Sequence, residues 1–260
     1  MHYCLSSQVG KEYLKKADEI RVKYKQLNSI LDLYEINPNA TFILTITNKE
    51  DLSNIKWNEI EQYNIMTQKK LIIETDSFNI MDACKALDIK FFYGIPVNSF
   101  YDVKALMDYG CCDIRIDSPL THMLDKFEDL DITVRMSPNI AYYAYIPRED
   151  GVCGSWVRPE DTELYEQYVD VFEFEDCDVK KEQALYRIYA EQKSYLGSLN
   201  TLISNLNYEG INRLIHPELS EKRAFCGQKC ATGLNCKICY RMLDLANPDK
   251  LEYLKQKNNP

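Results

Sequence analysis

Short runs of alternating polar and β-branched or aromatic residues recur along the first two-thirds of the chain, separated by longer stretches with helically spaced apolar positions. Seven runs read as strands: Glu19–Tyr24, Thr41–Thr47, Leu71–Thr75, Ile89–Gly94, Asp113–Asp117, Asp131–Met136 and Val169–Phe174. Helices are expected between them over Gln26–Glu35, Trp57–Asn64, Phe78–Leu87, Phe100–Tyr109, Leu120–Phe127 and Pro159–Gln167. A strand followed by a helix, repeated this often, joins parallel strands through right-handed crossovers. The pattern predicts an α/β fold, a (β/α) TIM-type barrel with its eighth strand unplaced and its closure irregular or incomplete. An open doubly wound sheet is the competing arrangement. Beyond about residue 180 the spacing turns helical, strongest over Lys181–Leu196, with a last helix expected over Tyr240–Ala246. The expected organisation is a barrel domain, residues 1–196, and a helical cysteine-rich extension packed on it, residues 197–260.

The strands are more polar than parallel strands buried on both faces should be. Arg21 and Lys23, Glu74, Arg115 and Asp117, Arg135, and Glu173 and Glu175 interrupt them. Side chains two apart share a face, so within each strand these charges point the same way. Burying them is costly unless they pair or border water. Two readings follow: a polar pocket at the carboxyl ends of the strands, where barrel active sites lie, or an interior lattice of ion pairs that fixes packing. Under the first, Glu74, Arg115, Asp117, Arg135 and Glu173 are the ligand-pocket candidates, the arginines orienting a small anionic ligand and a carboxylate moving protons.

One connection is unusually long, Ser137 to Pro159, and long connections often carry function. It holds Tyr142, Tyr143 and Tyr145, then Cys153, Trp156 and Arg158. Arg158 is a further candidate to hold an anion. Cys153 reads as a buried loop cysteine, because a thiol nucleophile wants a histidine and only His2, His122 and His216 exist.

The chemistry most clearly signalled lies near the end. Cys226, Cys230, Cys236 and Cys239 fall within one short segment bearing Gly227 and Gly233. Four thiolates complete a coordination sphere, and the spacing suits zinc or an iron–sulfur cluster alike. Of the remaining cysteines, Cys84, Cys111 and Cys112 read as small buried hydrophobes, while Cys4 and Cys177 have no assignment.

The 40 acidic against 31 basic residues give a formal charge of −9, which argues against a nucleic-acid backbone or anionic membrane as the main partner. No apolar run approaches the ~18 residues of a membrane span, and the opening Met1–Ser7 lacks a signal-peptide pattern, so a cytoplasmic protein is expected. The 19 tyrosines offer contact surface for a protein partner or for self-association. Glycine-rich phosphate loops, dinucleotide fingerprints and His-Glu-x-x-His zinc motifs are absent from the sequence.

Val152-Cys-Gly-Ser-Trp-Val-Arg-Pro-Glu-Asp161, with Tyr168-Val-Asp-Val-Phe-Glu-Phe174 and the late cysteines, resembles the collagenase-like peptidase family U-32. The resemblance follows the strand–helix order over residues 15–240, with sequence-specific likeness in those stretches. It implies a barrel-type fold, a cysteine-held iron–sulfur cluster, and an activity in hydroxylation of RNA bases or quinone precursors. It carries over to Cys226 and Cys230, with Cys236, Cys239 and Cys153 as further candidates. The chain departs from the family in gathering four cysteines into one loop. The functions expected are therefore two: a metal-dependent modification enzyme, or a non-catalytic assembly subunit with a structural zinc site.

Overall fold

The computed structural model describes residues 1–47, 49–50, 52–117, 124–140, 142–143, 154–155, 157, 159, 162–190 and 202–204. These residues fall into two compact units. The first comprises 1–116, 126–136 and 168–173; the second comprises 117–125, 137–167 and 174–260.

The first unit is a closed barrel of eight parallel strands. Its strands are β1 (His2–Ser6), β2 (Glu19–Lys23), β3 (Thr41–Thr45), β4 (Leu71–Thr75), β5 (Lys90–Val97), β6 (Asp113–Ile116), β7 (Thr133–Met136) and β10 (Val171–Glu173). The barrel runs β1-β10-β7-β6-β5-β4-β3-β2, and β2 closes it by pairing with β1. Every pairing is parallel, with Cys4 opposite Glu19, Arg21 opposite Ile43, Thr45 opposite Glu74 and Arg115 opposite Arg135. The strand missing from the expected seven is β1. It has five residues, His-Tyr-Cys-Leu-Ser, without the charged alternation or β-branched residues that marked the others.

Helices α1 (Lys11–Leu14), α2 (Ile30–Ile36), α3 (Trp57–Met66), α4 (Phe78–Ala86) and α5 (Phe100–Tyr109) cover the outside. The covered face carries one parity of each strand: Ile20 and Val22, Phe42 and Leu44, Ile114 and Ile116, Val134 and Met136, all nearly inaccessible. Ile30, Leu33, Ile60, Ile80, Met81, Val103 and Leu106 bury the helix side. Period-two strand faces meeting period-3.6 helix stripes make this outer core. Helix α5 shows its local determinants plainly. Ser99 Oγ accepts from the Asp102 backbone N–H at 3.1 Å and donates to the Asp102 carboxylate at 2.6 Å, and Gly110 ends the helix at φ 97°. The segment expected as one helix over Gln26–Glu35 is instead a 3₁₀ stretch, Tyr24–Ser29, followed by α2. Gln26, with φ −108° and ψ 16°, breaks the helical path.

In the second unit, a two-stranded antiparallel ribbon, β8 (Tyr142–Tyr143) with β9 (Gly154–Ser155), occupies part of the long connection. Helix α6 (Thr162–Tyr165) is shorter than the expected Pro159–Gln167, and α7 spans Val179–Ala190. Asn139 ties the unit together: its side chain donates to Glu175 O at 2.6 Å and to Ser204 Oγ at 2.8 Å, and accepts from the Glu175 N–H at 3.1 Å. Tyr189 Oη lies 2.6 Å from Val157 O, with its ring 5.7 Å from that of Phe174. Among the described residues no helix is long and apolar enough to cross a membrane.

Candidate functional site

The inward parity of the barrel strands carries the charges. Toward the carboxyl ends of the strands lie Arg21 from β2, Glu74 from β4, Arg115 from β6 and Glu173 from β10. Arg115 Nε and Nη2 donate to the two Glu173 oxygens at 2.7 and 3.0 Å, Nη2 also reaches Glu74 Oε1 at 2.7 Å, and Nη1 donates to Gly94 O at 2.5 Å. Arg21 Nη2 pairs with Glu173 Oε2, and Arg21 Nε sits 2.9 Å from Glu74 Oε2, which also accepts from Thr45 Oγ1 at 2.9 Å. Two guanidiniums and two carboxylates thus alternate around the lumen. Their exposure differs: the Glu173 side chain is 0% accessible, Glu74 and Arg115 8%, and Arg21 22%. Arg21 is the member of the quartet that meets solvent.

One layer toward the amino ends of the strands, Arg135 from β7 holds Glu19 from β2 and Asp113 from β6. Its Nη1 and Nη2 donate to the two Glu19 oxygens at 2.5 and 2.9 Å, and its Nε donates to Asp113 Oδ2 at 2.8 Å. Phe92 separates the layers, with the Arg135 guanidinium 4.6 Å and that of Arg115 5.9 Å from its ring centre. Phe92 belongs to the apolar plug of the lumen with Cys4, Ile43, Ile72 and Val171.

Burial alone would raise the Glu173 and Glu74 carboxyls. For Glu173 the guanidiniums of Arg115 and Arg21 outweigh it, and for Glu74 those of Arg21 and Arg115, so both lie below the usual range. Glu19 goes the other way: burial lifts it, and Arg135, shared with Asp113, only partly offsets this. Burial likewise pushes the Cys84 thiol up to about 12 and that of Cys111 to about 11, which leaves neither a ready nucleophile.

Of the residues singled out from the sequence, Glu74, Arg115 and Glu173 are therefore brought together. Arg135 is not with them; it lies a layer away, fully buried, and its charge is spent on Glu19 and Asp113. Asp117 is half-buried immediately after β6 and belongs to the second unit. Arg158, Cys153 and the four cysteines Cys226, Cys230, Cys236 and Cys239 lie outside the described residues. Among the described residues, no group of three or more His, Cys, Asp and Glu is placed to hold a metal ion. Cys4, Cys84 and Cys111 are buried free thiols, while Cys112 is only partly buried.

Three participants lie outside the candidates expected from the sequence. Arg21 is among the charges that the alternation turns inward but not among the ligand candidates, and Glu19 and Asp113 belong to neither set. The signal for both acids was parity, since Glu19 stands two residues before Arg21 and Asp113 two before Arg115.

No family model matches the chain, and no curated protein matches it. Solved structures similar to it include a phosphoribosyl anthranilate isomerase in complex with reduced 1-(o-carboxyphenylamino)-1-deoxyribulose 5-phosphate, at 11% identity, covering 74% of this chain and 97% of that one with a TM-score of 0.49. A 3-keto-L-gulonate-6-phosphate decarboxylase from Vibrio cholerae is 14% identical over 78% of this chain and 98% of that one, with a TM-score of 0.43. An orotidine 5'-monophosphate decarboxylase from Metallosphaera sedula is 13% identical over 74% of this chain and 100% of its own, also with a TM-score of 0.43. These proteins are similar to the chain in fold alone, and the barrel itself is established by its own closed strand pairing.

Proposed function

We propose that this chain is a barrel enzyme of the U-32-like kind that takes a small anionic substrate at the carboxyl ends of its strands and draws on a metal centre held by Cys226, Cys230, Cys236 and Cys239. The observation that carries the substrate half is Arg21. Its guanidinium is anchored on one side by Glu173 and Glu74 and is still about one-fifth accessible, whereas Arg115 has donors on Nε, Nη1 and Nη2 all engaged. An anchored guanidinium with an open edge suits a carboxylate or phosphate, which it can meet with two parallel N–H donors. Arg115 then acts as the positioning residue that keeps both carboxylates in place behind it. Glu74 is the more accessible of the two carboxylates, with Oε1 held by Arg115 and Oε2 by Arg21 and Thr45, so it serves to fix the guanidiniums that face a bound molecule. The metal half rests on the ligand spacing of the four cysteines, which would supply electron transfer as a cluster or structural bracing as zinc.

Inorganic phosphate and succinate titrated into the full chain test the substrate half. Saturable binding that Arg21→Gln weakens about tenfold or more supports it; binding unaffected by that change removes its basis. Anaerobic purification tests the metal half, which predicts iron with acid-labile sulfide or about one tightly held zinc per chain; protein free of both would end it.

A second reading has its own support. Most interior charges are satisfied by one another, as expected of a lattice that only fixes packing. A barrel of that kind with a zinc-braced tail would serve as a binding or assembly subunit. Colourless protein with zinc, and no anion binding sensitive to Arg21→Gln, is the outcome that selects it.

A further inference from the structure

We propose that the amino-terminal end of the barrel, opposite the end discussed above, holds a second binding site for a small zwitterion bearing a primary ammonium and a carboxylate. Barrels ordinarily close this end with packed side chains. Here a cavity of about 530 Å³ opens among the first residues of five strands and the segment before β7, within the range of small-molecule pockets. Glu19, Asp113, Lys90 and Asp131 supply its charge, Thr41, Thr133 and Cys112 its neutral polar groups, and Ile72 an apolar wall.

The arrangement of charge selects the ligand. Glu19 and Asp113 are buried to 7% and 3% accessibility and share the single guanidinium of Arg135. Arg135 takes both oxygens of Glu19 but only Oδ2 of Asp113, whose carboxylate also lies against the Cys112 thiol. With Asp131 the lining holds three carboxylates against the single ammonium of Lys90, and even with Arg135, which lies behind Glu19 and Asp113, this end of the barrel keeps one negative charge in excess. A ligand ammonium would neutralise that excess and relieve the burial cost that already lifts the Glu19 carboxyl. Lys90, at the start of β5, is exposed and forms no ion pair among the described residues. Its ammonium is the group to receive the ligand's carboxylate. The threonines and the Cys112 thiol, which donates to Phe91 O at 3.3 Å, complete a lining suited to a short polar chain rather than a large apolar one.

Calorimetric titration of the full chain with glycine, β-alanine and γ-aminobutyrate, beside butylamine and butyrate as half-probes, tests the site. At least one of the three amino acids should bind saturably below about 10 mM and more tightly than either half-probe. Lys90→Gln, at an exposed position, should weaken that amino acid about fivefold to tenfold and leave butylamine unchanged. Butyrate binding as well as γ-aminobutyrate, no saturable amino-acid binding, or an affinity indifferent to Lys90→Gln would each overturn the proposal. Because Arg21 lies a layer away and does not line this cavity, Arg21→Gln should leave this binding intact, so failure here is separable from failure of the anion site.

Discussion

Arg135 shows how much one side chain can organise. It is fully buried, it bonds carboxylates from two other strands, and its guanidinium lies against Phe92. A buried guanidinium contributes little net stability when paired, but its removal leaves its partners charged in a low-dielectric interior. Arg135→Leu is therefore expected to cost about 3–5 kcal/mol in urea unfolding, because Glu19 and Asp113 lose their common partner. A loss under about 1 kcal/mol would mean that water reaches the cluster freely. Parity in the sequence located Arg135 in the lumen but not its layer. Glu74 and Arg135 both read as inward charges, and only the stagger between strands separates them.

Among the elements, β5 is the irregular one. Its register with β6 shifts between Tyr93 and Val97, and Gly94 falls within that shift. The glycine lets the strand pass close to β4: a Cβ there would stand 3.1 Å from Glu74 Cγ, while Gly94 O accepts from Arg115. Gly94→Ala should push Glu74 away from Arg21 and Arg115 and cost about 1–3 kcal/mol, measured by thermal or urea unfolding. Unchanged stability would show that the quartet can shift without strain. The extent of α5 matched the periodicity residue for residue because Ser99 and Gly110 punctuate it. Helix α2 starts later than the periodicity predicts, because the kink at Gln26 has no glycine or proline to announce it.

For the whole molecule, the carboxylates set the response to acid. Glu74 and Glu173 have folded pKa values held below the ordinary 4.5. Their stabilisation is complete above that value and is lost as pH falls through the folded values. Glu19 has the opposite sign: its folded pKa is raised, so its contribution is complete below 4.5 and fades as pH rises through the folded value. Two groups against one predict that urea midpoints drop between about pH 5 and about pH 3, and that Glu173→Gln flattens this limb. A Glu173→Gln variant with an acid limb as steep as the parent's would contradict the pairing with Arg115 and Arg21.

Local order along the chain was enough to announce seven of the eight barrel strands, their parallel sense and the inward turn of their charges. Side-chain alternation and strand–helix succession are properties of neighbouring residues, so they can be read without knowing the fold. Closure through β1, the separation of the charges into two layers and the choice of partners were decided in three dimensions. Arg135 and Glu19 stand 116 positions apart, Arg21 and Glu173 152. Nothing in either neighbourhood specifies the other; the barrel's closure and register bring them within bonding distance, and the cost of leaving a buried charge alone makes each pairing obligatory.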